Sequence, residues 1–395
     1  MKRILIAMLS VAAVAVAGSA QEKPKPPKDM PDPKTSTESE QFQNLNDEFD
    51  KSAREFSKEY RNAPTPEARK VLRTDFEKKV TVFCQRFFDL AAKDAKSEVA
   101  LDSLAWIVNM AGHTSNGKLA MERLGEHHVR KDKIAGLCET LTANTTTGAE
   151  KLLSRIMTDN PNKTVQAKAC FALGELYQVR MDQARSLEGP EGRGLREYFG
   201  ADHIEMLKSD SATFEKKAEA AFETTREKYG DVARDTGTFG ESAKRELFEI
   251  RNLAVGKPAP EIESEDLDGK KTKLSELRGR VVVLDIWATW CPPCRAMIPH
   301  ERELVQRLKD KPFTLVSISF DDTKEEVKEY MEKEKMPWTH WFNGRNGPIG
   351  KAWNIKAFPT IYVLDAKGVI RFKGVRGEAM DKAVETLLAE PPAKQ

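Results

Sequence analysis

The chain has 395 residues, 39% of them hydrophobic and 32% charged, with 64 Lys and Arg set against 62 Asp and Glu. That length is comfortable for two domains, and the apolar share supports a real core beneath a heavily solvated surface. A formal net charge of +2 gives no electrostatic reason to expect nucleic acid or an acidic lipid surface as the main partner.

The opening MKRILIAMLSVAAVAVAGSAQE makes residues 1–20 read as a secretory signal. Lys2 and Arg3 form a basic start, Ile4 to Val16 an uncharged and mostly apolar run, and Gly18-Ser19-Ala20 a small-residue cleavage site before Gln21. The run is short of the ~20 residues that a membrane-spanning helix needs. Cleavage removes two basic residues and no acidic one, and leaves a formally neutral chain with no transmembrane segment. The protein is therefore expected to be exported, periplasmic or otherwise extracytoplasmic, where disulfides form and persist. Residues 21–40, QEKPKPPKDMPDPKTSTESE, are rich in proline and lysine with one apolar residue, and read as a flexible tether.

From 41 to 252 the pattern is helical. Val80, Phe83, Cys84 and Phe87 fall at i, i+3, i+4, i+7, and Ile134, Leu137, Cys138 and Leu141 repeat that spacing. Few runs alternate, so almost no sheet is expected. Met121-x2-Leu124-Gly125-x2-His128 resembles Cys170-x2-Leu173-Gly174-x2-Tyr177, and the second carries the L-G-x2-Y core of a tetratricopeptide first helix. Ala218 and Phe222 supply the A-x3-F of a second helix. The spacing between these pieces departs from the ~34 residues of that repeat, and EGPEGRGLREYFG interrupts it. A degenerate helical-hairpin array and an irregular bundle both fit. Cys84, Cys138 and Cys170 sit on apolar helical faces and are expected to be small buried hydrophobes; whether any two of them pair is open. His127 and His128 point to different sides of a helix, and packing is the expected role of His128.

From 253 to 395 strand and helix patterns alternate, after a stretch punctuated by Gly256, Pro258 and Pro260. VVVLDIWA (281–288) reads as a buried strand and CRAMIPHERELVQRLK as an amphipathic helix. FTLVSISF (313–320) is a second strand, and DTKEEVKEYMEKEK a charged helix capped by Asp322 or Thr323. PTIYVLD (359–365) and GVIRFKG (368–374) form a hairpin through Ala366-Lys367, and EAMDKAVETLLAE a closing helix. The expected fold class is two-domain: an N-terminal all-α helical array, then an α/β domain with a central mixed sheet flanked by helices.

The chain has five cysteines, and Cys291 and Cys294 stand on either side of a proline pair. Cys291 falls just past a buried strand and at a helix start, where free amides and the positive dipole end favour a thiolate. The i, i+3 spacing brings Cys294 one turn back beneath it. The first thiol is thus expected to be exposed and to attack a partner disulfide; the sheltered second thiol resolves the mixed disulfide. Pro292 and Pro293 offer no N–H, so the Cys291 thiolate depends more on the amide of Cys294. A reducing-leaning pair is expected, away from the about −120 mV of a strong oxidant. Zinc would need two more ligands, and neither a second CxxC nor an HxxxH is present; His300 and His340 lack ligand-like spacing to the cysteines. No metal is expected, and no cofactor beyond a redox-active disulfide Cys291–Cys294.

On these residues the stretch 255–390 resembles the thioredoxin superfamily, and within it the exported TlpA/ResA-like thiol-disulfide oxidoreductases. Trp290-Cys291-Pro292-Pro293-Cys294 matches the active-site motif and Pro299 the helix-kinking proline. Phe358-Pro359-Thr360 matches the cis-proline loop, which in the family pairs its backbone with an extended substrate peptide. VGKPAPEIESEDLDGKKTKLSELRG and the insert 322–342 are also typical of this branch. The resemblance implies Cys291 as nucleophile and Cys294 as resolving thiol, with Trp290, Pro292, Pro293, Phe358, Pro359 and Thr360 as the substrate-binding rim. Two positions depart from the pattern. Many relatives carry glutamate three residues after the second cysteine, where Met297 stands and cannot move protons. Asp285, six residues before Cys291, stands where thioredoxin has a buried aspartate, whereas many relatives have another residue there. It is the expected proton acceptor for Cys294, its pKa raised by burial; the alternative is a strand-end aspartate that only hydrogen-bonds. A peroxiredoxin would want P-x3-[ST]-x2-C, and LDIWATWC has no proline.

Two functions remain. One is an extracytoplasmic thiol-disulfide oxidoreductase acting as a reductase of protein disulfide or dithiol clients, recharged by a membrane-linked electron donor that is not part of this chain. The other is a binding protein whose helical domain recruits a partner to the thioredoxin platform. Apocytochrome c, a copper chaperone and misoxidised proteins all fit as clients.

Overall fold

The computed structural model describes residues 36–390 apart from 145, 189–195, 197, 198 and 200. The signal segment and the tether up to residue 35 lie outside the described residues, as does most of the interruption EGPEGRGLREYFG. The chain divides into two compact units between Lys244 and Arg245.

The first unit is helical: α1 (Glu38–Asn62), α2 (Pro66–Ala91), α3 (Glu98–Ala111), α4 (Ser115–His127), a 3-10 turn (Asp132–Leu137), α5 (Cys138–Thr142), α6 (Thr147–Asp159), α7 (Lys163–Glu188) and α8 (Ala201–Tyr229). Helix α1 begins inside the stretch read as tether. Thr37 caps it by accepting from the Glu40 amide at 3.2 Å, and Glu40 returns the bond to the Thr37 amide at 2.7 Å. That reciprocal cap, S/T-x-x-E, supplies the local start that composition alone hides. Thr65, Ser97 and Thr114 cap α2, α3 and α4 one way, each side chain accepting from the amide three residues on. Phe87 stacks on Trp106 at 4.2 Å, and Phe49 meets the same indole edge-on at 4.8 Å, joining α1, α2 and α3. Gly174 lets α7 and α8 approach closely: a Cβ added there would stand 2.6 Å from the Phe222 ring. Cys84, Cys138 and Cys170 are buried free thiols.

Helix α9 (Phe239–Asn252) contains the division, and its last turns belong to the second unit. Glu246 pairs with Lys356, Glu249 with Lys373 and Asn354, and Leu253 enters the core of the sheet domain. These ties place the start of that unit upstream of the expected boundary at 253.

The second unit is built on a seven-stranded mixed sheet of order β2-β1-β5-β4-β3-β6-β7. Its strands are β1 (Glu263–Asp266), β2 (Lys271–Lys273), β3 (Val281–Trp287), β4 (Phe313–Ser319), β5 (Thr339–Phe342), β6 (Thr360–Leu364) and β7 (Ile370–Lys373). β3, β4 and β5 are parallel, while β6 runs antiparallel to β3. Helices α10 (Pro292–Arg295), α11 (Ile298–Arg307), α12 (Lys324–Glu334), α13 (Pro348–Ala352) and α14 (Glu378–Leu388) complete it. The N-terminal all-α array followed by an α/β domain with a mixed sheet is thus the observed class. Thr323, not Asp322, caps α12. The single helix expected over 294–309 is instead two, α10 and α11, because Pro299 in the first turn of α11 cannot donate to the preceding turn. β1, β2 and β5 were not anticipated. They hold three or four residues each, ESED, KTK and THWF, too short to show an apolar period, and the first two are wholly polar.

β3 is buried along its whole length and packs on both faces. Val282, Leu284 and Ile286 point into one apolar cluster with Val316, Ile318 and Tyr362. Val281 and Val283 point the other way, onto Met297 and Leu304; further along that face Trp287 joins Cys291, Cys294 and Ile298 in a separate cluster. The cysteines therefore sit beyond the carboxyl end of a central strand, between it and α11. Among the described residues no helix is long and apolar enough to cross a membrane.

Candidate active site

Cys291 occupies the N-cap position of α10, which Pro292 and Pro293 begin. Prolines fit a helix start, where their missing N–H groups have no intrahelical duty. The next free amide, that of Cys294, donates to Cys291 Sγ at 3.2 Å. The two sulfurs are joined in a disulfide, with an S–S distance of 2.14 Å and a Cα–Cα distance of 5.3 Å. The exposed thiol expected at 291 is not seen: Cys291 is 4% exposed and Cys294 3%. Bonded to each other, both sulfurs lie in the cluster formed by Trp287, Ala288 and Ile298, against which Phe358 packs.

What is exposed is the rim. Trp290 is 51% exposed, and Pro292 and Pro293 are open to solvent. Trp290 meets Phe358 edge-on at 5.4 Å, and Arg345 lies over the indole at 5.9 Å. The Phe358–Pro359 bond is cis, and Thr360 opens β6. Phe358 thus ties the loop before β6 to the cysteine cluster and to Trp290, while Pro359 is buried behind it and Thr360 is half-buried.

Asp285 lies on β3, facing the same side of the sheet as Val283 and Trp287. Its register partner on β4 is Ser317. Ser317 Oγ donates to Asp285 Oδ2 at 3.2 Å, and Trp338 Nε1 donates to Ser317 Oγ at 2.9 Å. Oδ1 is buried and has no hydrogen-bond partner among the described residues. Burial pushes the carboxyl up to about 7, against the opposing effects of the Ser317 hydrogen bond and the Arg376 charge. A carboxyl so placed can exchange a proton near neutrality.

Two further residues were passed over in the sequence. Asp321, fully buried after β4, accepts from the Thr289 amide at 3.0 Å, from Thr289 Oγ1 at 2.7 Å and from Ser319 Oγ at 2.7 Å. It fixes the turn that delivers Trp290 and Cys291. Glu301 on α11 is 1% exposed. Burial, then the Asp285 carboxylate, hold it protonated well above the usual carboxylate range. Its signal was its place in the apolar stripe Ile298, Leu304, Leu308, where a solvated glutamate does not belong. Met297, also buried on this helix, faces the cluster below.

His300 pairs with Asp381 at 3.0 Å, and His340 is buried with its pKa lowered by burial to about 4. Among the described residues no cluster of three or more His, Cys, Asp or Glu could hold a metal ion.

A disulfide-capable CxxC at a helix start, beyond the end of a central strand and beside a cis-proline loop, defines a thiol-disulfide oxidoreductase of the thioredoxin superfamily. The family model described as Redoxin matches residues 254–388. The thiol-disulfide oxidoreductase ResA of Bacillus cereus is 30% identical over 136 residues, 34% of this chain and 78% of that protein. The thioredoxin-like protein YneN of Bacillus subtilis is 30% identical over 122 residues, 30% of this chain and 70% of that protein. Among solved structures, the thioredoxin domain of a thiol-disulfide oxidoreductase from Bacteroides vulgatus is 30% identical, covering 35% of this chain and 99% of that one, with a TM-score of 0.33. Through its C-terminal third the chain belongs to the family of ResA-like thiol-disulfide oxidoreductases.

Proposed function

We propose that the protein is an exported reductase of protein disulfides, with Cys291 as nucleophile, Cys294 as resolving thiol and Asp285 as proton acceptor. The observation that carries this reading is the Cys291–Cys294 bond set beside the exposed Trp290 and the Phe358–Pro359 loop. In the reduced protein the Cys291 thiolate attacks one sulfur of a client disulfide. A bond forms between Cys291 Sγ and that sulfur, and the other client sulfur leaves as a thiolate that water protonates. Cys294 then passes its proton to the Asp285 carboxylate, and its sulfur attacks Cys291 Sγ. The mixed disulfide breaks, the second client thiolate leaves, and the client has gained the two electrons the cysteine pair has lost. Regeneration requires an external dithiol donor, which we assign to a membrane-linked partner. The proline pair favours the reducing direction, since only the Cys294 amide supports the Cys291 sulfur. Trp290, Pro292, Pro293, Phe358, Pro359 and Thr360 form the surface on which an extended client segment lies. Export follows from the character of residues 1–20.

The test uses the full chain without residues 1–20, reduced and mixed with insulin. Cys291→Ser should abolish disulfide reduction, and Cys294→Ser should accumulate a mixed disulfide on Cys291 that mass spectrometry identifies. Equal capture by Cys291→Ser would overturn the order of attack.

A further inference from the structure

The apolar side of the sheet that faces α11 holds two clusters, one around Val283 and Leu304 and one around Trp287, Cys294 and Ile298. Two carboxyls stand at the seam between them. Asp285 lies between Val283 and Trp287 on the strand, and Glu301 lies one turn from both Ile298 and Leu304 on the helix. Each has a buried oxygen with no hydrogen-bond partner among the described residues, Asp285 Oδ1 and Glu301 Oε1. The basic side chains of α11 are engaged elsewhere: Arg302 binds the backbone carbonyls of Glu334 and Lys335, and His300 and Arg307 bind Asp381 of α14.

We propose that Glu301 is a second buried acid of this redox site, a positioning residue that stays protonated beside Asp285 and so leaves Asp285 able to take the proton of Cys294. This rests on the proton transfer proposed above. Two carboxyls in one apolar seam cannot both ionise without large cost, so they titrate in two steps that belong to the pair. The groups that face the pair decide the order. Asp285 has Ser317 as donor and feels Arg376 from the segment before α14. Glu301 is opposed by burial and then by Asp285. His340 on β5 is neutral at the pH of the reaction. Glu301 is thus the first to gain a proton and the last to lose it. Were it ionised at neutral pH, its charge would hold Asp285 protonated, and Cys294 would have no acceptor.

The experiment follows the resolving step alone. The reduced full chain is treated with Ellman's reagent, and the second release of thionitrobenzoate reports attack by Cys294 on the Cys291 mixed disulfide. In the wild type a second negative charge appears beside Asp285 when Glu301 ionises, so the wild-type rate should fall about five-fold below that of Glu301→Gln across the pH range in which Glu301 loses its proton. Glu301→Gln, permanently neutral, should match the wild type at pH 7, below that range. Carbon-13 resonances of the glutamate carboxyls should show Glu301 protonated at pH 7, and Asp285→Asn should move its titration to lower pH. A purely structural Glu301 would let Glu301→Gln lower the rate equally at every pH. A Glu301 ionised at pH 7, or unmoved by Asp285→Asn, overturns the pairing. If instead Asp285→Asn resolves as fast as the wild type at all pH values, the acceptor role of Asp285 fails, and the carboxyl titration still decides whether the two acids are coupled.

Discussion

The helical unit half-buries a glutamate on a helix and the redox unit buries one fully, and they treat it in opposite ways. Glu150 accepts from Tyr177 Oη at 2.8 Å, is bridged by the fully buried Arg180 and lies 3.3 Å from Lys217. Burial works to raise its pKa, but the Tyr177 and Arg180 hydrogen bonds and the two positive charges outweigh it, and the carboxyl ends below its ordinary range. Among the described residues no such cation pairs with Glu301, and burial wins. The same residue type is an ion where the fold needs a fixed strut and an acid where the fold leaves a charge unmet. Protonation state is thus decided by partners as well as by depth.

The largest expected effect breaks the first half of that contrast. Glu150→Ala strands Arg180 in the helical interior without its carboxylate, which should cost on the order of 3 kcal/mol in urea unfolding. Because the Glu150 pKa is lowered on folding, its contribution is present above the unfolded value and is lost as pH falls through the folded one. The wild type should therefore lose this stability in acid, and the Glu150→Ala chain should have none of it to lose.

Asp285→Asn sharpens the other half. The carboxyl titrates at about 7 in the folded chain, above its ordinary value. A raised acid binds more protons folded than unfolded, so stability falls as pH rises between about 4 and 7. The amide removes that penalty. At pH 8 Asp285→Asn should be more stable than the wild type by on the order of 2 kcal/mol, while reducing disulfides more slowly. Equal stability of the two proteins at pH 8 would mean that the carboxylate is not held at a cost.

How much of this was legible beforehand differs between strand and helix. VVVLDIW announced a buried strand because six apolar or aromatic residues with one carboxylate have no solvated face, and the CxxC after it located the site. Asp285 was legible as an oddity inside that run. Glu301 was not, since a lone glutamate among Arg302, Glu303 and His300 looks like an ordinary solvated face. Only the helix register, which turns it toward Ile298 and Leu304, makes it strange. The exposure expected at Cys291 failed for a related reason: a helix start fixes the amide that reaches the sulfur, but residues distant in sequence, Val327, Met336 and Phe358 among them, build the cluster that covers it.

The smallest expected effect concerns the other three thiols, and it compares the two units by one chemistry. Burial raises the pKa of Cys84 to about 11 and of Cys138 to about 12, and raises Cys170 as well. At pH 8 a thiol of pKa 11 is about 0.1% thiolate, and the thiolate is the reactive species. Each of these cysteines is also sealed in helix packing, Cys84 at 0% exposure. Ellman's reagent added to the reduced native chain should therefore consume two thiols promptly, Cys291 and Cys294, and the remaining three only on unfolding in urea. Cys138→Ala should leave insulin reduction within about two-fold of the wild type, since the thiol carries no reactive charge. A third thiol reacting at the native rate of the first two would show that the helical unit, too, holds a reachable sulfur, and the contrast between a structural interior and a reactive one would no longer run along the division at Lys244.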